Sequence, residues 1–299
     1  MNRGPIGCFD GGASGRFRVM IQTDSLAELP APWGSYDLSS GEPRAVRIGP
    51  RDLWLHRRNG EIWLALGPPP SGFEIRTSRD EAPPSVPPEG SGWSRWATPS
   101  GEAKVSLRPV FPDRALVLQP ERPFRLLPRA KARVYVRVPL WVRVELPLTD
   151  TPNRTALLDE IPLSPLSDTW WGALSHGELA YWLPTTARRE MRPELWSPHL
   201  AACPLLVTNQ ASDDLQVEKL AFRVAHLSLF TAEGRFWADE SAVTYLGEGE
   251  GAQVEMAGLP PAEAPNGRLV MGPRIPAHRG MRARTFGRLA AFPFPGGGE

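Results

Sequence analysis

Arg133-Val134-Tyr135-Val136-Arg137-Val138-Pro139-Leu140-Trp141-Val142-Arg143-Val144-Glu145 alternates without a break over 13 residues. Successive side chains of a strand point to opposite sides of a sheet. Val134, Val136, Val138, Leu140, Val142 and Val144 therefore share one face, and Arg133, Tyr135, Arg137, Pro139, Trp141, Arg143 and Glu145 share the other. The pattern predicts a buried face and a wet face, as in an antiparallel sheet. Pro139 has no N–H to give a ladder, which predicts an edge strand or two strands meeting at a bend.

Short runs rich in Val, Leu, Ile and Trp recur on both sides of this segment, at 17–21, 45–48, 53–57, 61–66, 73–76, 104–110 and 115–119, and again at 204–209, 215–230, 235–238, 242–246 and 252–256. Between them lie clusters of Gly, Pro, Asn and Asp, the punctuation of an all-β chain. Asn59-Gly60 separates two such runs and predicts a hairpin over 53–66. Within 215–230 the alternation slips at Glu218-Lys219 and at Ala225-His226, as where a strand leaves one sheet for another. A helix over 215–227 is the competing reading. The Pro-rich stretch 78–101 reads as an exposed loop, and 147–167, with Pro147, Pro152, Pro162 and Pro165, as a boundary. The expected fold is all-β: two tandem antiparallel sandwich-like domains with few short helices, over 1–148 and 149–292, then a disordered tail at 293–299.

Composition limits the function classes. The chain has 299 residues, 41% hydrophobic and 22% charged, enough to bury a sizeable core. Its net charge of +1 argues against a protein that coats nucleic acid or anionic lipid. The halves differ in sign: 21 Lys and Arg against 16 Asp and Glu before residue 151, and 13 against 17 after it. Cys8 and Cys203 cannot frame a disulfide scaffold, which suits a reducing compartment. Neither a signal-peptide pattern nor an apolar stretch of membrane-spanning length is apparent, so a soluble, cytoplasmic protein is expected.

No Walker loop, His-Glu-x-x-His, Cys-x-x-Cys or Gly-x-Ser-x-Gly occurs, and the five histidines have no metal-ligand spacing. Neither cofactor nor metal is expected. Aromatic density is the stronger signal, with 11 Trp against 4 Tyr, concentrated in 168–199. Trp170, Trp171, His176, Tyr181, Trp182, Arg188 and Arg189 are the candidate binding residues there, with Arg137 and Trp141 from the alternating strand. Large rings can plug sandwich ends and seams. Equally, Trp and Arg dominate recognition hot spots. Asp168, Glu178, Asp239 and Glu240 are the carboxylates from which a glycoside-hydrolysing pair could come. The 133–143 face, with Arg, Tyr and Trp, has the look of a nucleic-acid-binding sheet.

Four stretches carry a resemblance: 132–139, Asp168-Thr169-Trp170-Trp171-Gly172, Gly177-Glu178-Leu179-Ala180-Tyr181-Trp182 and Cys203-Pro204-Leu205-Leu206-Val207-Thr208-Asn209. From about residue 100 to 275 the chain resembles the prokaryotic family called domain of unknown function 432. That family has no established activity, so the resemblance assigns no catalytic residue. It implies a soluble accessory role beside mechanosensitive-channel genes. The leading expectation is a non-enzymatic binding module with a protein partner. Its rivals are a carbohydrate-directed hydrolase using Trp platforms and two carboxylates, and a single-stranded nucleic-acid binder using the 133–143 face.

Overall fold

The alternating run is two strands that meet at a bend. The computed structural model describes residues 29–39, 42–69, 82–98, 103–148, 154–175, 177–191, 196–247, 251–278 and 280–287. In it, Lys131–Pro139 and Trp141–Pro147 are separate strands, divided at Leu140. The Leu140 N–H leaves the ladder to donate to the His199 carbonyl at 2.9 Å. The first strand pairs antiparallel with Leu200–Asn209, and the second lies between Lys104–Val110 and Thr155–Pro162. All six even-numbered aliphatics are buried in the main core.

The opposite face is not wet. Arg137 and Glu145 are buried, and burial pushes the Glu145 carboxyl above its ordinary range. Arg133 is held by Glu240 and, at 2.6 Å, by Glu263, which also accepts from the Tyr135 hydroxyl at 2.6 Å. Arg143 bonds Glu160 at 2.7 Å, and Arg274 bonds the same carboxylate while its guanidinium lies 5.6 Å from the Trp141 ring centroid. Carboxylates distant in sequence thus roof this face, and periodicity within one strand does not reveal them.

The protein is all-β, with multiple antiparallel sheets and a single turn of 3-10 helix at Val224–His226 among the described residues. Arg44–Ile48, Arg51–Arg58, Glu61–Leu66 and Trp93–Ala97 form a meander in that order. Its central turn has Asn59 and Gly60 at φ 52° and 76°, the left-handed pair that a two-residue hairpin requires. Trp93–Ala97 lies inside the stretch read as a loop: Trp93, Arg95 and Ala97 alternate with Ser94 and Trp96, a period hidden by the prolines before it. The stretch 147–167 likewise holds Thr155–Pro162, hairpinned onto Trp141–Pro147. The runs at 17–21 and 73–76 and the tail lie outside the described residues.

Leu200–Asn209 organises the largest sheet. Along one edge it pairs parallel with Arg235–Ala238 and then Ser241–Gly247; along the other it meets Lys131–Pro139 over nine residue pairs. The runs at 235–238 and 242–246 thus both pair with this strand and not with each other. At 215–222 the slip at Glu218 separates Leu215–Val217, which pairs with Phe124–Leu126, from Lys219–Phe222, which pairs with Leu116–Pro120. One strand pattern feeds two sheets, as the phase slip implies.

Candidate functional site

The Trp-rich segment contains two strands. Ser167–Trp171 and Glu178–Ala187 form a hairpin at one edge of a five-stranded sheet, whose other edge is Phe286–Gly287. One face of this sheet joins the main core through Leu116, Leu118, Leu220 and Phe222; the other carries small residues, Ala115, Val117, Ala180 and Ala221. Trp171 fills that second face. Its indole N–H donates to the Arg284 carbonyl at 2.7 Å, and its ring sits where a Cβ on Gly287 would come within 2.6 Å. The sheet is therefore curled until its two edge strands meet across one indole. Trp171 is 8% exposed and Trp170 is 49% exposed, because alternate residues of a strand face opposite ways. Trp170 donates to the Ala173 carbonyl at 3.1 Å and packs on Gly177, which leaves no room for a side chain there.

Beside these rings opens a cleft of about 1040 Å³. It is lined by Trp170 and Trp171, by the turn after Leu200–Asn209 that carries Asp213 and Asp214, and by the segment from Arg282 to Gly287. Asn209, fully buried, builds the turn: its Nδ2 donates to the Leu126 and Asp213 carbonyls, both at 2.8 Å, and its Oδ1 accepts from the Ala211 N–H at 3.0 Å. One carboxamide therefore fixes both the acidic turn and the strand that carries Arg125. Arg125, Lys219, Arg282 and Arg284 line the cleft, and among the described residues no ion pair holds any of them, nor Asp213 or Asp214. The cleft thus offers four cations and two carboxylates beside an exposed indole. Trp182 lies on the opposite side of Lys219, its ring 5.7 Å from Nζ.

The remaining candidates fall elsewhere. Tyr181 and Trp141 pack at 6.1 Å between ring centroids, with Arg114 over Tyr181 at 5.1 Å. Burial, and then a 2.9 Å hydrogen bond to Asp113, push the Tyr181 hydroxyl up to about 12. That proton is held, not poised for transfer. Arg188 pairs with Glu121 at 3.4 Å and bridges Tyr135 through the backbone, whereas Arg189 is exposed and Arg137 buried. His176 lies outside the described residues. Of the four carboxylates, Asp168 faces Arg114 at 3.1 Å and Glu178 is clasped by both terminal nitrogens of Arg223. Glu240 holds Arg133, and Asp239 accepts from the Ser228 and Gly258 N–H groups at 2.8 Å each. Each is bound to a cation or to backbone, and none lies in the cleft. Among the described residues no group of three His, Cys, Asp or Glu is arranged to hold a metal ion.

Sequence reasoning missed Arg282, Arg284, Asn209 and the acidic turn as site residues, because they come from two distant segments without a shared motif. It also missed a second exposed cluster on the N-terminal meander. There Arg58 and Arg95 lie 5.9 and 5.0 Å from the Trp63 ring, which meets Trp93 edge-on at 6.0 Å.

The model of the family described as protein of unknown function (DUF432) matches residues 32–290. The chain belongs to that family. The match includes every described residue that lines the cleft and, unlike the resemblance read from sequence, takes in the N-terminal meander. Neither a curated protein nor a solved structure matches the chain. Among the described residues no helix is long and apolar enough to cross a membrane.

Proposed function

We propose that the protein is a non-enzymatic binding module, and that the cleft beside Trp170 is where it holds a protein partner. The observation that carries this reading is an indole nearly half exposed in the lining of a cleft whose charged groups have no ion pair among the described residues. A large apolar ring left in water costs free energy that a partner can recover, and Trp and Arg are the residues that anchor interfaces. Trp171, one residue on, is buried as a structural plug, so Trp170 carries the binding reading of the aromatic segment. The hydrolase reading is less well supported, because the carboxylates nominated for it are engaged elsewhere. An accessory role beside a membrane channel is compatible with a module of this kind and adds no requirement on the cleft.

The test is capture from native lysate followed by mass spectrometry, on wild type, Trp170→Ala and Arg95→Ala, each with its melting temperature. Loss of a specific partner with Trp170→Ala, at unchanged melting temperature and with Arg95→Ala still binding, supports the cleft. Equal capture by wild type and Trp170→Ala removes it from consideration.

A further inference from the structure

Three edge strands border the cleft. Ser167–Trp171 pairs only with Glu178–Ala187, Phe286–Gly287 only with Lys219–Phe222, and Met281–Ala283 only with Gly251–Met256, among the described residues. Each leaves one side of its backbone without a ladder, and such edges accept an added extended segment. Gly247 also lines the cleft, with open space where a Cβ would stand, letting another backbone approach closely there.

The side chains set the chemistry of what approaches. Arg282 and Arg284, two residues apart in the last described stretch, are both exposed; Lys219 pairs with Gly287, and Arg125 with Gln216. Among the described residues that line the cleft, four cations without an ion pair outnumber two carboxylates, although the chain as a whole is close to neutral. Such an excess, confined to one concave site, favours an anionic occupant. Asp213 and Asp214 narrow the class. A continuous phosphate backbone would be forced past them at like charge, whereas a peptide can place a neutral or basic residue there and its acidic residues on the arginines. Trp170 supplies the apolar contact that a peptide side chain can use.

We propose that the cleft takes an extended acidic segment of the partner protein, with carboxylates on Arg282, Arg284 and Lys219 and an apolar side chain on Trp170; this rests on the binding reading above. The test uses the full-length chain and a fluorescein-labelled Glu-rich peptide carrying one leucine, with a Lys-rich peptide of the same length and single-stranded oligothymidine as competitors. The Glu-rich peptide is expected to bind, weakening as salt screens the charges. Arg282→Glu/Arg284→Glu is expected to weaken it by about tenfold or more, the effect of about 1.4 kcal/mol. Lys219→Gln, which reverses no charge, is a second variant expected to weaken it less in the same direction. Competition by the Lys-rich peptide or the oligonucleotide at equal strength, or charge reversal without effect at unchanged melting temperature, overturns the proposal. If the native partner is lost with Trp170→Ala and the Glu-rich peptide fails to bind wild type, the acidic assignment falls while the cleft stands. Loss of neither falls on the cleft itself.

Discussion

Val142 has no accessible surface and faces Pro109 on one neighbouring strand and Ile161 on the other. Val142→Asp would leave a buried, unpaired charge costing several kcal/mol, comparable with the whole stability of a domain. The variant should be insoluble or melt without cooperativity; a soluble, cooperatively melting protein would show that the register is wrong. Asp239 gives a pH-dependent expectation. Burial pushes its carboxyl up to about 6, although it accepts two backbone N–H groups. The folded protein then holds this proton more tightly than the unfolded chain, where an aspartate titrates near about 4. Its contribution is complete below about pH 4 and is lost as pH rises through about 6, a change of up to about 3 kcal/mol. Melting temperature measured from pH 4 to 7 should carry this fall in wild type and lose it in Asp239→Asn. The same variant should be less stable throughout, because an amide offers one acceptor where two are needed. An identical pH slope in both proteins would remove Asp239 as the cause. At this scale the sequence was informative about the valines, whose period is local, and silent about Asp239, whose partners at 228 and 258 come from other turns.

The curled five-stranded sheet depends on one contact between its edges. Trp171 spans from its own strand to Gly287 and the Arg284 carbonyl, so Trp171→Ala should open the curl as well as leave a cavity. A loss of roughly 3–5 kcal/mol is expected, read by denaturant melts, against little change for Trp170→Ala. Equal losses would mean that both rings are structural. Elements were legible where the signal was short-range: Asn59-Gly60 marked its hairpin, and the phase slip at Glu218 marked the passage between sheets. Trp93–Ala97 was hidden, because a strand of only five residues next to a proline run gives little contrast. The parallel pairings of Leu200–Asn209 had no local signal at all, since a ladder partner is chosen by the whole fold.

Across the whole molecule, the longest ladder joins the two halves of the chain, Lys131–Pro139 to Leu200–Asn209, and one core cluster runs from Trp33 to Val270. The opposite charge of the halves, visible in the sequence, has a structural counterpart in Arg133 with Glu240 and Glu263. The cleft itself was half legible. Its rings stand in the densest aromatic segment, whereas its cations come from strands near residues 125, 219 and 282 that belong to three different sheets. Amide hydrogen exchange on the protein with its captured partner bound is the most direct measurement of where recognition occurs. Protection should rise at Ser167–Trp171, at 213–219 and at 281–287, with the outer face of the Arg44–Ala97 meander unchanged. Protection gained around Trp63 and Trp93, with the cleft segments unaltered, would contradict the cleft as the site of binding.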